Sequence, residues 1–217
     1  MKIIDLSRPL ELETPVFAGY PPFALEVIQR AADSTAEGRR LNSSVMSMGL
    51  HCGTHVDSPL HFYDQTAPIA EVPLEWFMGP CILIDLEGKL PGGFIGLERL
   101  WPYENALRRT HKVLLRTGYE AHWGSPEYFT AHPALTKESA EFLVSMGVHL
   151  VGVDTPSVDH PPWPAHLVLL GANVVILENL ANLSEIAEAP FEIAALPLKI
   201  ARGEASPVRA VAIVNGV

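Results

Sequence analysis

A chain of 217 residues is long enough for one domain, residues 1–217, with a substantial core, and roughly 70% of its unfolded surface should be buried on folding. Fifteen Lys and Arg against 25 Asp and Glu give a formal charge of -10 without a strongly basic window, which argues against nucleic acid or an anionic membrane as a partner. No apolar run approaches the roughly 20 residues of a spanning helix, and MKIIDLSRPL turns polar too early for a signal peptide; Cys52 and Cys81 therefore read as free thiols in a reducing, cytoplasmic setting.

In chain order, Lys2 to Leu6 is expected as a short strand, and Ser7 to Tyr20, broken by Pro9, Pro15 and Gly19, as a loop. Phe17 and Tyr20 have no periodic place in a core, so either they pack on the body or they wall an aromatic substrate. Ala24 to Gln29 suits a strand, and Asp33 to Arg40 a polar, mobile segment. Met46 to Phe62, MSMGLHCGTHVDSPLHF, then splits at strand period into two rows. Met46, Met48, Leu50, Cys52, Thr54 and Val56 form a mostly apolar face; Ser47, Gly49, His51, Gly53, His55 and Asp57 form a polar one. Two imidazoles and a carboxylate there suit a divalent transition metal. Pro59 ends the strand, and His61 follows it.

A short helix is expected over Leu74 to Met78, ended by Gly79-Pro80, and a buried strand over Cys81 to Leu86. Gly88 to Gly93 should turn the chain, Leu97 to Arg109 should be a helix broken at Pro102, and Lys112 to Thr117 a strand. Gly118 to Pro133 reads as a long loop. Thr136 can cap a helix through Met146 that Gly147 stops. Val148 to Asp154 then completes a strand-helix-strand unit that favours parallel pairing. Asp154, at the strand end, is either a ligand-binding group or a capping residue. Pro161, Pro162 and Pro164 stiffen a loop that ends at His166, ahead of a helical turn at Leu167 to Leu170 stopped by Gly171. Val174 to Leu177 is a core strand ending in Glu178, and Phe191–Leu198 and Val208–Asn215 are two more strand-like runs.

Glu178 follows four aliphatic residues, and a carboxylate at the end of a buried run is costly without a cation or a metal beside it. With His166 one short element away, His51, His55, Asp57, His166 and Glu178 would make five ligands. That is more than one open catalytic ion takes, whereas two ions bridged by Asp57 would use all of them and leave room for a hydroxide. The other reading of Glu178, a loop cap or the partner of a distant arginine, stays open on spacing alone. His61, if not a ligand, stands free as a general acid/base.

These residues resemble the bacterial metal-dependent kynurenine formamidase, or cyclase, family, whose His-x-Gly-x-His-x-Asp-x-Pro-x-His pattern is complete from His51 to His61. Asp5-Leu-Ser7, Gly79-Pro80-Cys81, Thr155-Pro156-Ser157-Val-Asp159, Ala165-His166, Leu177-Glu178, Leu196-Pro197-Leu-Lys199 and Ala205-Ser206-Pro207-Val-Arg209 extend the likeness along the chain. The resemblance implies one metal on His51, His55 and Asp57, a second on Asp57, His166 and Glu178, and proton transfer by His61. It also implies an α/β fold of the swivelling β/β/α type, a mixed sheet flanked by helices, and a homodimer or larger assembly. In this chain Phe17 stands where such formamidases tend to carry tryptophan; Ala18, Tyr20 and the Ser157–Pro164 segment with Trp163 also depart from their pattern.

The implied reaction is hydrolysis of a C–N amide bond in a small aromatic amide, with N-formylkynurenine as leading substrate and Phe17 against it. Two divalent ions serve, zinc first, with manganese or iron as alternatives. A cyclic amide or lactone such as isatin is the alternative substrate, and a non-catalytic metal-binding protein the reading of another class. No Gly-x-Ser-x-Gly, His-Glu-x-x-His, Walker or dinucleotide motif competes.

Overall fold

The apolar runs become the middle of a curled mixed sheet whose helix-covered face ends at the histidine-rich segment. The computed structural model describes residues 1–33, 41–90, 93–186 and 190–215. In chain order the strands and helices are β1 (Lys2–Asp5), β2 (Ala24–Gln29), β3 (Ser43–Ser47), β4 (His55–Asp57), β5 (Met78–Asp85), β6 (Phe94–Ile95), α1 (Leu97–Leu100), α2 (Glu104–Thr110) and β7 (Lys112–Arg116). They continue with β8 (Ala134–Leu135), α3 (Lys137–Ser145), β9 (Leu150–Val153), α4 (Pro164–Gly171), β10 (Val175–Glu178), β11 (Phe191–Ala194), β12 (Ala205–Pro207) and β13 (Val211–Val214). Nine strands lie in the order β1-β13-β11-β5-β7-β9-β10-β4-β12. The central four, β5, β7, β9 and β10, are parallel, and both flanks are antiparallel.

Strand alternation sorts the buried side chains into two layers. Val113, Leu115, Val151, Val153 and Ile176 face α1 to α4 through Leu100, Leu107, Leu143 and Leu169. Leu114, Leu150, Val175, Leu177 and Val56 face the opposite layer with Leu6, Phe77 and Ile193. On that parity His55, Asp57 and Glu178 lie on the helix side, at the end of β10. The antiparallel register of β10 with β4 sets Glu178 opposite His55 and Ile176 opposite Asp57.

Several expectations match in place and type. Thr136 Oγ1 accepts from the Ser139 amide at 3.2 Å, and Gly147 takes φ +74 beyond the helix, a cap and a stop of the expected kinds. The broken helix is α1, a 3-10 turn over Trp101–Tyr103 that absorbs Pro102, and α2. β7 and β9 pair in parallel.

Others are corrected. Met46 to Asp57 is not one strand: β3 ends at Ser47, a turn with Cys52 N–H donating to Gly49 O at 3.2 Å follows, and Gly53 takes φ +67 before β4 begins. Glycines at 49 and 53 weaken a strand and permit the turn. β2 and β3 form a separate hairpin, and Met46, expected inside, is 56% exposed. The helix over Leu74 to Met78 is one 3-10 turn at Leu74–Trp76, and Met78 to Pro80 already belong to β5. α4 starts at Pro164, so His166 sits in its first turn; a fixed φ and a missing N–H suit proline to that position. The tail strands are shorter than expected, with β12 between them. Of the segment expected to be mobile, residues 34–40 lie outside the described residues, as do 91–92 of the expected turn.

Candidate active site

Four segments converge on Asp57. β4 supplies His55 and Asp57, the turn before it His51, the end of β10 Glu178, and the first turn of α4 His166. Asp57 Oδ1 lies 2.9 Å from His51 Nδ1 and 3.5 Å from His55 Nε2. Its other oxygen, Oδ2, lies 3.9 Å from His166 Nε2. Glu178 closes the ring, with Oε1 3.5 Å from His166 Nε2 and Oε2 3.4 Å from His55 Nε2. His51, His55 and Asp57 thus form one group able to hold an ion, and Asp57, His166 and Glu178 a second, with Asp57 common to both.

The donor set fits a divalent cation. Asp57 is 1% exposed, yet neither of its carboxylate oxygens, nor His55 Nε2, has a hydrogen-bond partner among the described residues. Buried polar atoms without partners are costly unless something else satisfies them. The electrostatics of the ring likewise call for positive charge. Burial alone would depress His51 and His166, but Asp57 and Glu204 raise His51 to about 11, and Asp159 and Glu178 raise His166 to about 10. Burial likewise opposes ionisation of Asp57, and the imidazoles around it overcome this and hold it well below the usual carboxylate range. Carboxylates that draw protons onto neighbouring histidines are a site that positive charge completes.

Each imidazole has an outer partner. His166 Nδ1 meets Asp159 Oδ1 at 2.6 Å, and Asp159 Oδ2 accepts from the Ala165 and His166 amides at 2.5 and 3.3 Å. His51 Nε2 lies 3.5 Å from Glu204 Oε1. His55 Nδ1 meets Gly53 O at 2.9 Å. Such outer contacts select which ring nitrogen is left for an ion. Asp159 was within the sequence pattern, but its role needs the fold of the Ser157–Pro164 segment back onto α4. Nothing in the sequence near Glu204 marks it; β12 pairing beside β4 brings it in.

His61 stands beside the ring rather than in it. It ends the 3-10 turn Pro59–His61, with its ring centroid 4.2 Å from that of His51 and 6.2 Å from that of His166. Burial, and the positive charge of His51 and His166, lower its pKa below the ordinary imidazole value. Glu178 also accepts from the Val158 amide at 3.1 Å, so it anchors a loop as well as facing the two histidines. Asp154 lies apart and serves the backbone: it accepts from Thr117 N at 3.0 Å, Thr117 Oγ1 at 2.6 Å and Gly118 N at 2.7 Å.

A cavity of about 280 Å³ opens onto the ring. Phe17 lines it, its ring 4.5 Å from Phe129 and 6.4 Å from Trp163, and Tyr20 stands edge-on to His51 at 5.9 Å. Phe129 comes from the 118–133 loop and was not singled out in the sequence, where one aromatic among several in a loop carries no distinguishing signal.

Known proteins share this arrangement of segments over almost the whole chain. A kynurenine formamidase from Paracidovorax citrulli is 36% identical over 212 residues, 95% of this chain and 94% of its own length. One from Bacillus anthracis is 33% identical over 213 residues, 97% and 96% of the two chains. Among solved structures, isatin hydrolase A from Labrenzia aggregata superposes with a TM-score of 0.84 at 28% identity, covering 99% of this chain and 94% of that one. The Cyclase family model matches residues 4–160, which include the complete His51-to-His61 pattern. By motif, by fold and by full-length likeness, the chain belongs to the cyclase family.

Proposed function

We propose that the protein is an arylformamidase that hydrolyses N-formylkynurenine to kynurenine and formate, using two divalent metal ions, zinc by preference, held by His51, His55, Asp57, His166 and Glu178. The observation that carries this reading is the full-length similarity to kynurenine formamidases, joined to a carboxylate that offers one oxygen to each of two ligand groups. Bound ions would polarise the formyl carbonyl and activate water. His51 would ligate through Nδ1, leaving its Nε2–H to Glu204, and His166 through Nε2, leaving its Nδ1–H to Asp159. His61, kept neutral by its burial, takes a proton from water and returns it to the departing aryl nitrogen. Breaking the C–N bond then leaves an amine and formate. Phe17, Phe129 and Trp163 hold the aromatic ring and shield the reacting carbonyl from bulk water. The enzyme is expected to work in the cytoplasm and as a homodimer or larger assembly, the assembly being supported by the apolar side chains that the β2–β3 hairpin leaves exposed.

A second reading keeps the site and changes the substrate to a cyclic amide, supported by the likeness to isatin hydrolase A. The test is a panel of N-formylkynurenine, isatin and simple arylformamides on protein of measured metal content. The highest kcat/KM is expected on N-formylkynurenine. A clear preference for isatin would move the assignment to the second reading, and metal-replete protein inert on the whole panel would leave a binding role only.

A further inference from the structure

The three candidate histidine ligands differ in what orients them. On their outer sides His166 and His51 face carboxylates, Asp159 and Glu204, whereas the outer nitrogen of His55, Nδ1, faces a neutral carbonyl, that of Gly53. A lone peptide carbonyl is a weak anchor unless something holds it in turn. Here something does. Asn179 Nδ2 donates to the same Gly53 oxygen at 3.0 Å, and Tyr128 Oη lies 2.8 Å from Asn179 Oδ1. Tyr128 is fully buried and Asn179 is 4% exposed.

The polarity of this chain follows from what each atom can do. A carbonyl oxygen only accepts, so the side of the Asn179 amide facing Gly53 is its NH₂. Its Oδ1 therefore faces Tyr128, and the tyrosine hydroxyl donates. Burial raises the phenol's pKa, so it keeps that proton. By the same logic His55 Nδ1 must carry hydrogen to reach Gly53 O, which makes Nε2, the atom between Asp57 and Glu178, the ring nitrogen offered to an ion. The backbone is fixed to suit. Gly53 has φ +67, and a Cβ there would lie 2.7 Å from Leu10 Cδ2. Asn179 has φ 59, a conformation asparagine tolerates; its N–H donates to Thr155 O at 2.9 Å and its C=O accepts from Thr54 Oγ1 at 2.8 Å.

We propose that Tyr128 and Asn179 are positioning residues that act through the Gly53 carbonyl to fix the tautomer and direction of His55 as a metal ligand. The proposal rests on the two-metal reading of the site and adds to it a role for the 118–133 loop. That loop would then serve the ligand ring through Tyr128 and the cavity wall through the adjacent Phe129.

Asn179→Asp is the sharpest test, since it keeps the size and the left-handed backbone but sets an anionic oxygen against the Gly53 carbonyl. Tyr128→Phe, which removes one hydroxyl and keeps the buried ring, is the milder second variant should the first fail to fold. Metal-free protein is titrated with zinc against a chromophoric chelator, and histidine ring ¹⁵N spectra are recorded before zinc is added. Asn179→Asp should weaken one of the two zinc sites roughly 10–100-fold, Tyr128→Phe by less, and in both variants His55 should lose its uniform Nδ1–H tautomer. A merely structural role would lower the melting temperature and leave zinc affinity and tautomer unchanged in the folded variant; that result overturns the proposal. Unaltered protein that takes up no zinc would sink the metal reading and the proposal with it, while the zinc-free spectra distinguish that failure from a misassigned Asn179.

Discussion

His61 and Asp57 are four residues apart, yet the chemistry around them calls for opposite behaviour on substitution. Asp57 presents a separate oxygen to each ligand group, so Asp57→Ala should lose both ions, and metal analysis showing one ion fully retained would refute the bridge. His61 ends a turn beside the ring, so His61→Ala should keep both ions while turnover falls by roughly 10²–10⁴. His51→Ala on the same assay is the ligand control; equal metal loss in the two variants would make His61 a ligand instead. A histidine outside the ring offers a test of the scaffold. His132 is 3% exposed and stacked on His160 at 3.9 Å, and burial above all depresses its pKa from 6.5 to about 4. The unfolded chain therefore binds a proton near pH 6.5 that the folded chain refuses until about pH 4, and stability is lost as pH falls through that interval. Between pH 7.5 and pH 5 this residue should cost the metal-free protein about 2 kcal/mol. Urea unfolding of His132→Gln at both pH values should show that loss removed.

Elements whose start and stop signals are local were legible in the sequence; those set by distant contacts were not. α3 carries its own cap and its own glycine stop, so Thr136 and Gly147 marked it unaided. The His51–Asp57 segment shows the limit. Period-2 patterning set His55 and Asp57 on one face correctly, because β4 is a strand. It carried the pattern back through Gly53 to His51, where the chain is a turn, and His51 reaches Asp57 by turn geometry rather than strand alternation. Spacing alone left Glu178 with other roles; register opposite His55 brings it to the ring. α4 illustrates an element held from outside, since Asp159 accepts two of its first amides and the His166 ring. Asp159→Asn keeps the shape but has one accepting oxygen where three donors converge. We expect a loss of stability on the order of 1–3 kcal/mol and of metal affinity by roughly 10–100-fold, read from the urea midpoint and from zinc retained after dialysis. Unchanged zinc retention would show that α4 presents His166 without this anchor.

At the scale of the molecule, one part of the chain does not account for its own stability. β2 and β3 form a two-stranded sheet outside the nine-stranded one, and an isolated hairpin is marginal in water. Its strands pair Leu25 with Met46 and Val27 with Ser44, which sets Leu25, Val27 and Met46 on one face; these are 53%, 43% and 56% exposed. The formal charge of -10 favours keeping copies apart, so association would have to come from apolar surface, and the hairpin carries a contiguous patch of it. If the hairpin packs against a second copy, sedimentation should give a multiple of the 23.7 kDa chain mass. Lysine at both Leu25 and Met46, cross-strand partners that point the same way, should then return the protein to single chains, because two buried ammonium groups would face apolar surface without partners. A native protein that sediments as a single chain at assay concentrations would refute the assembly. In that case the hairpin's order would have to come from the loop carrying Tyr20 and Pro21, which passes close to Gly49 just beyond β3, where a Cβ would lie 3.5 Å from the Tyr20 ring.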